Sequence, residues 1–158
     1  MRASVRLLVV LFALVCAGCG PDVDLTKGLQ VEIVSTGWFD VGVVNGQNKL
    51  VPSVSFRLKN VSDQKLSALQ VTARFSRVSE SDEWGNGFVM AEDLRPGATS
   101  ATLTLKSLVG YTGSGESRAE MLQNARFVDA KVLLSAKYSS TNYKHVGEYP
   151  IVRQLVTK

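Results

Sequence analysis

Cysteine is nearly absent from this chain. Its two copies, Cys16 and Cys19, both fall within the first nineteen residues, so everything after them is free of thiols. No disulfide, cysteine nucleophile or cysteine-ligated metal can be built there. Histidine occurs once, at His145. A zinc site draws on several His or Cys ligands, and a Ser-His-Asp triad needs the ring in contact with a serine and an acid. With Lys144 and Glu148 nearby, His145 reads as a surface residue close to the last turn. A phosphate loop is missing too. Gly110-Tyr111-Thr112-Gly113-Ser114-Gly115 precedes a helical stretch but lacks the lysine and hydroxyl residue after its last glycine, and Glu116 and Glu120 would repel an anion at that helix start. The acids Glu80, Asp82, Glu83, Glu92 and Asp93 show no EF-hand spacing, and calcium asks for about six or more oxygens. A pair of glycosidase acids would have to stand about 5 to 9.5 Å apart, which nothing here imposes. These acids read as a solvated loop. No catalytic residue, no metal and no cofactor is expected, and the chain reads as a non-enzyme.

Long hydrophobic runs are equally scarce. The one present, Leu7 to Val15, falls short of the about 20 apolar residues that span a bilayer, and Gly18, Gly20, Pro21 and Asp22 close it. Arg2 and Arg6 before it, with Ala17 and Gly18 after it, complete an export signal over residues 1–18. The ending Cys16-Ala17-Gly18-Cys19 resembles the lipobox of bacterial lipoproteins, with Cys16 where that family usually has leucine. The resemblance implies that Cys19 becomes an acylated N-terminus. More than one acyl chain is required for stable anchoring, which that family's multiply acylated cysteine supplies. No aspartate adjoins Cys19, which implies a lipid anchor in the bacterial cell envelope, at the outer membrane facing the periplasm. Residues 19–27 are polar, contain Pro21 and read as a tether. Removing Arg2 and Arg6 takes Lys plus Arg from 18 to 16 against 14 acids, so the net charge falls from +4 to +2. A balance that close to neutral argues against a nucleic-acid partner.

Beyond the tether the pattern has period two. Leu29, Val31 and Ile33 start a strand running toward Gly37; Trp38 to Val41 is a further extended piece or a bend; and Asn45-Gly46 marks a turn. Val54, Phe56 and Leu58 face one way within a strand over 50–59, and Leu69, Val71, Ala73 and Phe75 do so in the return strand over 69–77, as a hairpin or a sandwich-edge turn. Further strands are expected over 98–107, over 127–138 with Ala130, Val132, Leu134, Ala136 and Tyr138 on one face, and over 143–156, the last with Pro150 at an edge or bulge. Ser117-Arg118-Ala119-Glu120 has capping-box spacing and opens one short helix. The expected fold of residues 28–158 is a mainly-β, antiparallel sandwich of about seven or eight strands with one short helix. Leu58-Lys59-Asn60-Val61-Ser62, then Val71 and Phe75, then Leu94-Arg95-Pro96-Gly97 resemble the immunoglobulin-like domains of bacterial lipoproteins, the FxLYD group among them. That resemblance implies an immunoglobulin-like sandwich and a non-catalytic interaction role.

Trp38, Phe39, Trp84 and Tyr111 all fall in or beside expected loops, where a large ring is either a plug over the core or an anchor for a partner. They are the candidate partner-binding residues. The expected function is that of an accessory module docking on another envelope protein; the alternative is a small-ligand or envelope-polymer binding module with an aromatic-lined pocket. Replacing the lipid acceptor tests the anchor: Cys19→Ala is expected to abolish palmitate labelling and leave an uncleaved precursor. Continued labelling of the variant would reject Cys19 as the acceptor.

Overall fold

The computed structural model describes residues 22–156, so the signal segment 1–18 and Cys19 lie outside the described residues. Nine strands and two short helices follow in order. They are α1 (Leu25–Gly28), β1 (Leu29–Val44), β2 (Gln47–Asn60), β3 (Gln70–Arg77), β4 (Gly85–Met90), β5 (Leu103–Lys106), β6 (Tyr111–Gly113), α2 (Arg118–Gln123), β7 (Ala130–Lys137), β8 (Lys144–Pro150) and β9 (Leu155–Val156). One sheet has the order β5-β2-β1-β9, with β6 also paired to β2; the other has the order β4-β3-β7-β8. All pairings are antiparallel except β1 with β9. The fold is mainly β and sandwich-like. Among the described residues no helix is long and apolar enough to cross a membrane.

The alternation read from the sequence is what makes the core. Val54, Phe56 and Leu58 of β2 meet Val71, Ala73 and Phe75 of β3 and Ala130, Val132, Leu134 and Ala136 of β7, all fully buried in one cluster. Each strand thereby commits one face to the interior and leaves the other polar. Asn45 and Gly46 both take positive φ, 51° and 76°, the combination that a two-residue hairpin turn requires. The capping box forms as the spacing predicts. The Ser117 side chain accepts from the Glu120 N–H, and the Glu120 carboxylate accepts from the Ser117 N–H. That backbone hydrogen bond holds the Glu120 carboxyl below its usual range, so its contribution is complete at neutral pH and is lost as pH falls through the lowered value.

Several boundaries differ from the sequence reading, each for a local reason. β1 does not stop or bend at Gly37; it runs on through Trp38 and Phe39 to Val44 because β2 supplies partners along its whole length. β2 and β3 are not a hairpin, since they lie in different sheets and the chain crosses between them at 61–69. The expected strand over 98–107 keeps ladder geometry only at Leu103–Lys106; before it, the Ser100 hydroxyl takes the Leu58 N–H at 3.0 Å in place of a regular backbone partner. The expected final strand divides between sheets. β8 ends at Pro150 on an edge of the four-stranded sheet, and β9 joins the other sheet after Gln154 O accepts the Trp38 N–H at 2.8 Å. The segment read as a tether is docked from Val23 onward: its N–H donates to the Tyr138 hydroxyl, Asp24 caps α1, and Leu25 is 1% exposed. A single helical turn carries too few residues to show a 3.6-residue period.

Asn60 fastens the crossover. It is fully buried, donates to the carbonyls of Gln64 at 2.8 Å and Leu94 at 2.9 Å, and accepts from the Ser62 N–H and hydroxyl at 3.0 and 2.7 Å. Asn60→Ala strands several of these groups, each costing about 1–3 kcal/mol when buried without a partner. The expected result is a loss of about 3 kcal/mol, read as a lower urea midpoint at unchanged slope.

Candidate functional site

The pairing of β1 with β2 shifts register between Ile33 and Ser35 and again between Asp40 and Gly42. Each shift inserts one unpaired residue and exchanges the faces of those that follow. Leu29 and Val31 share the inner face with Asn60 and Leu58; past the bulge at Val34, the inward residues become Thr36 and Trp38, the latter opposite Pro52. Trp38 is therefore 0% exposed, while Phe39 turns to the outer face opposite Val51.

Three of the four candidate aromatics come together. Trp38 lies 6.1 Å from Trp84 and 5.5 Å from Tyr111 between ring centroids, and Trp84 lies 5.2 Å from Tyr111. Phe127 completes the group, edge-on to Trp38 at 4.5 Å. Its neighbours hold it firmly. The Tyr111 hydroxyl accepts from the Val128 N–H at 2.9 Å and donates to the Val128 carbonyl at 3.1 Å. Arg153 stacks 5.2 Å from the Phe127 ring while donating to the Asp129 carboxylate at 2.6 Å and the Phe127 carbonyl at 2.8 Å. Arg77 lies 5.4 Å from the Trp84 ring and donates to Glu80 at 3.1 Å, an interaction that raises its pKa.

This group closes one end of the fold. Beside it, a cleft of about 220 Å³ is lined by Tyr111, Met121 and Phe127 with Glu116 and Asn124. That is below the about 300–1,000 Å³ of small-molecule sites. The Tyr111 hydroxyl, Asn124 and Glu116 already bond within the protein. Trp38 is thus an interior plug and not a partner anchor, Trp84 and Tyr111 are half-buried around it, and Phe39 stands apart with Lys106 Nζ 3.2 Å over its ring.

One surface open to a partner is one that the sequence reading passed over. β4 is the edge of its sheet, and Phe88 and Met90 point outward from it, 55% and 57% exposed. The Ala91 N–H on the Leu69 carbonyl, with Val89 opposite Val71, makes the alternate residues the bonded ones. The backbone N–H and C=O of Asn86, Phe88 and Met90 consequently point away from β3. β4 reads Gly-Asn-Gly-Phe-Val-Met and carries no lysine, proline or bulge to discourage another strand. Lining the same depression as Phe88 are Thr72, Arg74, Leu133 and Ser135, together with Glu83, whose carboxylate accepts from the Asn86 amide. Arg74 has no ion-pair partner among the described residues. The signal was present in the in-phase spacing of Phe88 and Met90, but alternation alone does not say which phase faces water.

The remaining sequence candidates disperse. Glu80 pairs with Arg77, Glu83 with Asn86 and Asp93 with Lys65, and Glu92 accepts from the Ala101 N–H. The Lys65 hydrogen bond holds the Asp93 carboxyl below its usual range. His145 is exposed on β8, opposite Ser135 beside a bulge. Among the described residues, no three of His, Cys, Asp and Glu are grouped to hold a metal ion.

No family model matches the sequence, and no curated protein matches it. Among solved structures 14 chains match. One is the X-ray structure of Northeast Structural Genomics Consortium target SoR45, 11% identical, with a TM-score of 0.44 over 80% of this chain and 88% of that one.

Fluorescence separates the two tryptophans. In Trp84→Phe the remaining emission is expected to be blue-shifted and resistant to iodide, because Trp38 is enclosed, whereas Trp38→Ala is expected to cost about 3–5 kcal/mol of stability. Red-shifted, readily quenched emission from the Trp84→Phe protein would contradict the interior placement of Trp38.

Proposed function

We propose that this chain is a non-enzymatic accessory lipoprotein of the bacterial envelope, anchored through Cys19 at the periplasmic face of the outer membrane, and that it docks an envelope protein along β4. The observation that carries the reading is the unpaired edge of β4 with Phe88 and Met90 exposed on it. A strand added there gains main-chain hydrogen bonds from Asn86, Phe88 and Met90, and its outward side chains reach Phe88, Leu133 and Arg74, the Glu83 carboxylate in the same depression being engaged by Asn86. The occupant that fits is an extended segment alternating apolar and acidic residues. The acids answer Arg74, and the apolar side chains cover Phe88 and Met90.

The immunoglobulin-like part of the reading is supported by two sheets packed on one core and by crossovers from β2 to β3 and from β4 to β5. The lipid anchor is supported by the lipobox resemblance, and the docked segment begins at Val23, a few residues after Cys19 in the sequence. The protein then works close to its membrane.

Phe88→Pro removes an outward N–H without touching the ladder to β3, and Phe88→Glu replaces the apolar contact with a charge that repels the acidic segment. Titrated with a synthetic peptide of alternating valine and glutamate, the wild-type protein is expected to protect the amides of Asn86, Phe88 and Met90 from hydrogen exchange. Both variants are expected to weaken this binding at least tenfold while keeping the wild-type melting temperature within a few degrees. Peptide binding that ignores both substitutions, or no protection along β4, refutes the docking edge.

A further inference from the structure

The outer face of the five-stranded sheet carries a second feature, independent of β4. Between β1, β2 and β5 lies a cavity of about 500 Å³ whose lining includes Ser53, Ser55, Thr102 and Thr104, with Phe39 and Lys106 at one end. The register explains the depression. Ser53 lies opposite Gly37 on one side and opposite Lys106 on the other, so the floor is built from small residues while its neighbours stand up as walls. A Cβ on Gly37 would strike the Gln154 carbonyl at 2.8 Å, which ties the low floor to the seating of β9.

Ser53 makes this more than a row of small side chains. It is 3% exposed, and its hydroxyl has no hydrogen-bond partner among the described residues. Other buried polar side chains are satisfied: Thr36 takes the Val152 N–H at 3.2 Å, Ser100 donates to the Ala101 carbonyl at 2.7 Å, and Ser107 takes the Val109 N–H at 3.0 Å. Among the buried serines, threonine and asparagine, Ser53 and Ser76 are the exceptions, and of the two it is Ser53 that lines this cavity. The hydroxyl is not among the fully enclosed polar atoms that lack a partner, which are Trp38 Nε1 and Arg77 Nε, so it is reached from the cavity and is open to a hydrogen bond from whatever fills it. Lys106 sits in the same state. Its ammonium rests over the Phe39 ring and enters no ion pair among the described residues. Further along, the Ser55 and Thr104 hydroxyls bond each other at 2.8 Å, and Thr102 accepts from Arg57 Nε at 3.1 Å.

We infer that this cavity is a binding site for a carboxylate-bearing saccharide. Lys106 supplies the single cation in the lining and meets the carboxylate. The unpartnered Ser53 hydroxyl and the Ser55–Thr104 pair can each donate or accept, which matches sugar hydroxyls. Phe39 is an apolar platform for a sugar face once the ammonium swings to the ligand. A phosphate ester fits less well, since one lysine with no arginine fork in the lining is weak compensation for a doubly charged group. The volume lies within the about 300–1,000 Å³ of ligand sites and exceeds the cleft beside the aromatic end.

Chemical-shift titration of the folded domain with digalacturonate, and with its neutral counterpart galactobiose, tests the assignment. Digalacturonate is expected to move the amides of Ser53, Ser55, Thr104 and Lys106 and to bind at least tenfold more tightly than galactobiose. Lys106→Gln, an outer-face change, is expected to erase that difference, and Ser53→Val to block both sugars by filling the floor. Hexagalacturonate binding as well as the dimer points to a polymer chain, and its exclusion to a free sugar; either supports the site. Equal binding of the acidic and neutral disaccharides, acid binding unchanged in Lys106→Gln, or shifts confined to other faces would overturn it.

Discussion

One extra residue in β1 decides how the rest of this molecule is arranged. Ladder pairing with β2 admits Val34 without a partner, and from that point the faces of the strand exchange. Had the alternation of Leu29, Val31 and Ile33 continued unbroken, Phe39 would point inward and Trp38 to solvent. The bulge reverses them. Trp38 then meets Trp84, Tyr111 and Phe127 and closes the end of the core, and Phe39 becomes the wall of a surface cavity. The same bulge places Gly37 on the outer face, where β9 can lie close against it.

The two sheets divide the remaining work. Inner faces share a single apolar cluster, so neither sheet is stable as built without the other. Their outer surfaces differ in kind. The four-stranded sheet ends in an unguarded edge with apolar side chains and, nearby, Arg74, which has no ion-pair partner among the described residues, suited to another polypeptide. The five-stranded sheet carries hydroxyls, the Lys106 ammonium and an aromatic ring around a depression, suited to a sugar acid.

Much of the architecture was legible because it depends on local rules. The period-two pattern around Phe56, Phe75 and Val132 identified core-facing strands, Asn45-Gly46 marked its turn, and Ser117 with Glu120 marked the start of α2. The candidate site was legible only in part. The sequence marks Trp38, Phe39, Trp84 and Tyr111 as a set, but which of them face a partner and which the core depends on the register of β1. Phe88, Met90 and Ser53 went unmarked because their significance comes from what is missing beside them: a further strand in one case and a hydrogen-bond partner in the other.

The sequence by itself determined the mainly-β class, the inward phase of β2, β3 and β7, the capped helix and the thiol-free composition after Cys19. Each of these follows from side-chain chemistry acting within a few residues. Tertiary structure alone decided which of Trp38 and Phe39 is buried, that 143–156 divides between two sheets, and that β4 is an edge. These outcomes depend on which segments distant in the chain come to lie side by side, and a single unpaired residue such as Val34 is enough to change them.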